Sequence, residues 1–267
     1  MIEYMPRIAD KILKRKLEYM GGVLIEGCKW CGKSTTAKQI SKSYIEFQDP
    51  DKKIQYDKIS TTKPSIFLDG EKPRLFDEWQ MYPVIWDSIR TDVDRTGLKG
   101  QYILTGSARP AENKVMHTGT GRITKLLMRP MSLYESQESN GKVSLKDIIE
   151  NKDIEGVSIL SFDGIINAMM RGGWPESLKI DGDNKYEIAK DYIKSLISEE
   201  VRSLDNIERN PQKMDAVLKS ISRNISTSVS KTTIIEDVVN GFSGNISRPT
   251  LDAYLSTLEK LFILEYI

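Results

Sequence analysis

Cysteine and histidine are almost missing from this 267-residue chain, which has two of the first, Cys28 and Cys31, and one of the second, His117. That scarcity excludes a disulfide framework. It also leaves Cys28-x-x-Cys31 without the further cysteines or histidines that tetrahedral zinc requires. No apolar run approaches the ~20 residues that span a bilayer and no secretory leader is recognisable, so a cytosolic protein without membrane contact is expected. An excess of one charge sign is lacking too: 39 Lys plus Arg stand against 38 Asp plus Glu, a net charge of +1. A globally basic coat for nucleic acid is therefore excluded, and any such contact must be local. Internal repeats and low-complexity tracts are absent. The length suffices for two modest domains, each with its own core.

What is present is a phosphate loop. Gly27, Gly32, Lys33 and Ser34 fall at P-loop spacing, and the apolar run Val23-Leu24-Ile25 before them reads as a short buried strand. A helix is expected from Ser34, continuing over Thr35 to Ser43. Glycines let the backbone curl so that successive N–H groups of Gly27, Cys28, Lys29, Trp30, Cys31, Gly32, Lys33, Ser34 and Thr35 face a polyphosphate. Lys33, read as an exposed loop lysine, would reach the β- and γ-phosphates, and the Ser34 hydroxyl would ligate Mg²⁺. Both cysteines lie inside this loop, where a disulfide would distort the backbone that must wrap phosphate.

The flanking chain alternates helix and strand. Ile8, Ile12, Leu13, Leu17 and Met20 keep helical spacing ahead of the loop. Tyr44 to Phe47 alternates like a strand until Asp49-Pro50 breaks it, and residues 51–63 read as a loop or frayed helix. Leu75-Phe76-Asp77-Glu78 is an apolar run ending in two acids. Asp77 is the candidate to hold Mg²⁺ through water, and Glu78 to orient or deprotonate an attacking water. A helix opening at Pro83 buries Ile85, Ile89 and Val93. Gln101 to Ser107 is a further buried strand, whose Thr105 or Ser107 would sense the γ-phosphate at the strand's carboxyl end or cap the next turn. Ile123 to Met128 is the last strand of this half. Arg109 and Arg122 are the arginines expected near the phosphate edge.

These blocks, Ile25 to Thr36, Leu75-Phe76-Asp77-Glu78-x-Gln80, Leu104-Thr105-Gly106-Ser107, and Gly121-Arg122 followed by Pro130-Met131-Ser132-x-x-Glu135, resemble a prokaryotic group of AAA+ superfamily ATPases with a second C-terminal domain of unknown function. The resemblance spans nearly the whole chain. It implies an α/β fold, a three-layer core around a central parallel sheet, with ATP and Mg²⁺ at the P-loop and Arg122 as a finger reaching a neighbouring subunit. Cys28 replaces the usual loop proline and Ser34 the usual threonine.

Residues 1–135 are accordingly read as the ATPase domain, 136–156 as a polar linker with one short helix, and 157–267 as a mainly helical domain. Phe162 to Met170 is helical and ends at Gly172-Gly173-Trp174-Pro175, similar to the Gly-Gly-x-Pro turn that opens the family's C-terminal domain. Core helices follow over Tyr186 to Val201 and from Pro211. A short helix from Thr232, a longer one capped by Ser247, and a strand from Phe262 to Ile267 together suggest a winged helix. The family's domain runs on beyond such a segment, which points to truncation here. The polar face of the longer helix nearly cancels in charge, so protein contact is favoured over DNA.

The sequence thus reads as an ATP-hydrolysing molecular switch that acts on an unidentified protein partner, as a homo-oligomer if Arg122 works in trans. Two alternatives stay open. One is an ATP-regulated DNA-binding protein; the other is a P-loop kinase, against which the Asp77-Glu78 pair favours water as the nucleophile.

Overall fold

In the computed structural model, which describes residues 4–106, 119–200, 210–241 and 245–266, the apolar runs of the amino-terminal half become parallel strands. These are β1 (Gly22–Glu26), β2 (Ser43–Glu46), β3 (Arg74–Asp77), β4 (Tyr102–Gly106) and β5 (Ile123–Leu127). They lie side by side in the order β2-β3-β4-β1-β5, every pairing parallel. β1 and β4 are buried along their whole length, as parallel strands covered on both faces must be. The register sets Ile25 and Asp77 on either side of Thr105, and Glu26 beside Gly106. The carboxyl ends of β1, β4 and β3 therefore share one edge, where open α/β sheets take ligands.

Four helices pack around this sheet: α1 (Ile8–Tyr19), α2 (Lys33–Lys38), α3 (Lys53–Thr62) and α4 (Val84–Thr96). α1 lies against β1 and β5, and α2 against β1, β3 and β4. The stripe Ile85, Ile89 and Val93 of α4 is buried as its spacing predicts, joined by Trp86. Gly97, in the left-handed region, closes α4 by donating its N–H to Val93. Beneath the sheet Phe47 is ringed by Tyr56, Phe67, Phe76 and Tyr82, with centroids 4.9 to 6.2 Å away. Each such aromatic pair adds about 0.5–1.5 kcal/mol beyond its buried area.

Two local expectations are corrected here. Residues 51–63 form a 3₁₀ turn, Pro50–Lys52, that runs into α3. Only Tyr56 of α3 is buried, so the helix carries no apolar stripe to be read from the sequence. α2 ends at Lys38 rather than Ser43, because Lys42 donates its N–H to Pro73 and the chain is already entering the sheet.

The chain divides into two compact units, Met1–Ala189 and Lys190–Ile267. Within the first, the polar stretch after β5 carries the short helix α5 (Leu145–Ile149), and Ser161 caps α6 (Phe162–Arg171). The Arg171 guanidinium grips the Glu138 carboxylate with two bonds of 2.7 and 3.0 Å. α7 (Asn184–Ser195) continues into a π-helical turn over Leu196–Glu200.

The second unit is helical. α8 (Pro211–Arg223), α9 (Lys231–Gly241) and α10 (Arg248–Lys260) enclose Met214, Val217, Val238, Leu251 and Leu258. Asn210 caps α8 and Ser247 caps α10, the latter where the sequence places it. Residues 262–266, expected as a strand, instead turn back on α10, with Phe262 and Ile263 donating to Glu259 and Leu258. Leu261, Ile263 and Leu264 pack on the helical core instead of joining a ladder, so among the described residues no wing is built. No described helix is long and apolar enough to cross a membrane.

Candidate nucleotide site

The loop between β1 and α2 is shaped by two glycines. At Gly27 φ is +156° and a Cβ would sit 2.0 Å from the Met128 carbonyl oxygen, so no larger residue fits without displacing the exit of β5. Gly32 takes φ +97° at the start of α2, a left-handed turn that other residues resist. Between them Trp30 is 62% exposed, with φ +63°. Cys28 and Cys31 are buried free thiols at the back of the loop, Cys31 donating to the Met128 carbonyl at 3.4 Å. The two thiols influence one another's titration. Their interaction pushes Cys28 up and draws Cys31 down to about 7, with burial opposing the second shift and Lys33 and Arg7 aiding it.

Lys33 is not the exposed lysine that the sequence suggested. It is 5% exposed, and its ammonium donates to the carbonyls of Gly27 at 2.9 Å and Cys28 at 2.7 Å. The loop wraps its own cation because those carbonyls, turned inward, need a donor.

Across the edge, the Asp77 carboxylate at the end of β3 accepts from Ser34 Oγ at 2.6 Å and from the fully buried Thr105 hydroxyl. Thr105 therefore holds Asp77. Glu78 follows in the left-handed region, φ +55°, which aims it into the same cleft as Lys33 and Ser34, and it accepts from Gln80 Nε2. Gln80 stands in a block noted in the sequence but was given no role there.

That cleft, of about 860 Å³, is lined by Lys29, Trp30, Gly32, Lys33, Ser34 and Thr35 on the loop side. Its other walls come from segments to which sequence reasoning assigned no part in the site. Tyr4 and Met5 approach from before α1, with Tyr4 Oη on Asp10 at 2.6 Å and on Thr36 at 3.0 Å. Met131, Pro175, Glu176, Lys179 and Ile188 approach from beyond β5. The Gly172-to-Pro175 turn is tied down there: the Gly173 carbonyl accepts from Met131 N at 2.6 Å, and Trp174 Nε1 donates to the Lys29 carbonyl at 3.3 Å. Arg7 is buried behind the loop with Glu135, the pair 3.0 Å apart. Glu135 stands in a block noted in the sequence, while the trace of Arg7 there is Asp10, three residues on, whose carboxylate accepts from the Arg7 N–H.

Ser107 and Arg109 lie outside the described residues. Arg122 is not at the phosphate edge of its own chain. It precedes β5 at the opposite end of the sheet, where its carbonyl accepts from Gly22 and its guanidinium pairs with Asp94 at 2.6 Å. The fit to Mg²⁺ rests on the donor set, since a serine hydroxyl and a carboxylate 2.6 Å apart are the hard oxygens this ion prefers. Among the described residues no three His, Cys, Asp or Glu side chains cluster to hold an ion alone, so phosphate oxygens would complete the set.

A parallel sheet with a phosphate loop after β1, an acid ending β3 and β4 between them defines a P-loop ATPase core. Residues 21–137 match the family model of an AAA domain, and residues 163–267 match a domain of unknown function (DUF8612). The chain thus carries an AAA domain in its amino-terminal half and a separate domain of unknown function after it. Among solved structures, the Walker-type ATPase paby2304 of Pyrococcus abyssi aligns over 97% of this chain and 90% of its own, at 16% identity and a TM-score of 0.54. The replication initiator DnaA bound to AMPPCP and single-stranded DNA aligns over 97% and 89%, at 14% identity and a TM-score of 0.40. At such identities the first likeness establishes the fold, and the second carries no argument. No curated protein matches the chain.

Proposed function

We propose that this chain is a Mg²⁺-dependent, ATP-hydrolysing molecular switch. The observation that carries the reading is the Ser34–Asp77 contact of 2.6 Å, one residue from the loop lysine and in the cleft edge that Glu78 also enters. Catalysis of phosphoryl transfer is mostly positioning and charge stabilisation, and each part has a candidate. Loop amides and Lys33 hold the phosphates. Ser34 and Asp77 would hold Mg²⁺, with Thr105 keeping Asp77 in place. Bound there, the ion would offset the charge of the phosphates. Glu78, kept in position by Gln80, accepts the proton of the attacking water.

Arg122 faces away from its own loop, so a finger role for it requires a second protomer. The test is Glu78→Gln, which retains ATP binding and loses hydrolysis by about 10²–10⁴-fold in single-turnover kinetics, the contribution typical of a general base. Hydrolysis at the wild-type rate would place the catalytic carboxylate elsewhere.

A further inference from the structure

A phosphate loop works only when its N–H groups face the ligand, and this obliges some of its carbonyls to face away into protein. A carbonyl so buried must find a donor there, because water cannot reach it. Cys31, the residue before Gly32, is fully buried, and its carbonyl accepts from Arg7 Nη1 at 2.6 Å. Arg7 comes from 24 residues upstream and is itself 6% exposed. Its other nitrogens are engaged as well, Nη2 on the Arg129 carbonyl at 2.8 Å and Nε on Glu135 at 3.0 Å. Glu135 in turn accepts from the backbone N–H of Ile8 at 2.7 Å and of Ser132 at 2.9 Å. The guanidinium fork is thus fixed at three points, to the loop, to the exit of β5, and to a carboxylate that also ties the start of α1.

Resting on the reading of this loop as a nucleotide site, we propose that Arg7, latched by Glu135, is a positioning residue that sets the Cys31–Gly32 peptide plane so that the amides leading into α2 face the phosphates. Without the fork the Cys31 carbonyl is a buried orphan, and the simplest remedy is a flip of that peptide toward the cleft. The flip would set an oxygen where the cradle needs an N–H. Lysine keeps the charge but not the planar fork, so Arg7→Lys separates electrostatics from geometry.

The experiment measures affinity for Mg-ADP and for Mg-pyrophosphate by calorimetry, in wild type, Arg7→Lys and Glu135→Gln, well below each protein's melting temperature. Pyrophosphate reports the cradle alone. The expected result is a loss on the order of tenfold in Arg7→Lys, equal for both ligands, the size of one charged hydrogen bond. Glu135→Gln, which keeps the guanidinium, shows a smaller loss with the same equality, and carries the test if Arg7→Lys does not fold. A merely structural pair would lower the melting temperature and leave both affinities of the folded protein unchanged, which overturns the proposal. So does a loss confined to ADP, which would place Arg7 at the base. If wild type binds neither ligand, the nucleotide reading itself falls, an outcome visible before any variant is made.

Discussion

Replacing Lys33 with alanine should destabilise the protein as well as weaken nucleotide binding. The ammonium satisfies two inward carbonyls, Gly27 at 2.9 Å and Cys28 at 2.7 Å, from a side chain that is 5% exposed. Truncation orphans both, at about 1–3 kcal/mol each when buried. Water entering the space left by the side chain recovers part of that, which sets the expected loss near the lower bound, about 2 kcal/mol. For a unit of this size each kcal/mol moves the midpoint by roughly 2–4 °C, so the fall in melting temperature should be about 4–8 °C. Two of the three ammonium donors rest on loop carbonyls, so the cation's charge is shared between the loop and any phosphate it reaches. The net loss for ATP should therefore be about 10- to 100-fold, below the full worth of a buried charge pair. Melting by circular dichroism without nucleotide and calorimetric titration with it measure the two effects separately. A melting temperature within 1 °C of wild type, to order of magnitude no stability change at all, would show that the lysine–carbonyl bonds contribute nothing and would refute the reasoning.

Thr105→Val keeps the shape of a fully buried side chain and removes one of the hydroxyls on Asp77; the Mg²⁺ concentration for half-maximal hydrolysis should rise several-fold with metal-free nucleotide affinity unchanged, as a Mg²⁺ titration would show. Burial pulls the Glu135 pKa up, but the Ser132 and Ile8 amides and Arg7 outweigh it and hold the carboxyl below its ordinary range. Its stabilisation is then complete above the unfolded pKa of about 4.3 and lost as pH falls through the lower folded value, so wild type should lose melting temperature more steeply in acid than Glu135→Gln. If Arg122 acts on a neighbour's nucleotide, Arg122→Ala should lose on the order of 10³ in turnover, and mixing it with Lys33→Ala should restore activity. Turnover per chain that is flat on dilution, with no recovery on mixing, would leave Arg122 as the partner of Asp94 alone.

The strands and the loop were legible because their determinants are local. β1, β3 and β4 are apolar runs with polar ends, as strands buried on both faces must be. The loop is marked by glycines that larger residues cannot readily replace, as the 2.0 Å approach of a Cβ at Gly27 to the Met128 carbonyl oxygen illustrates. The α4 stripe was legible for the same reason, since a buried face repeats with the helical period. α3 was not, because one buried tyrosine has no period. Phe262 to Ile267 misled because an apolar run says only that burial is wanted. Whether a ladder or a helical core supplies it depends on neighbours that the run does not contain.

The site divides along a similar line, and its two halves differ in kind. The amide side of the loop is written in residue types, since few residues besides glycine, lysine and a serine or threonine do what Gly32, Lys33 and Ser34 do. The carbonyl side is written in none, because every residue carries a carbonyl and its orientation leaves no mark on the sequence. Yet in this loop the carbonyls of Gly27, Cys28, Lys29 and Cys31 all have side-chain donors: Lys33 for the first two, Trp174 for the third and Arg7 for the last. Two of those donors stand 145 and 24 residues away. Arg7 therefore reads as an ordinary surface charge ahead of α1, and Trp174 as part of a helix breaker, until the fold shows which carbonyl each one faces. The same reasoning explains why Lys33 was misjudged. Its spacing assigns it to a ligand, and nothing in that spacing says that the loop itself is the first partner it meets.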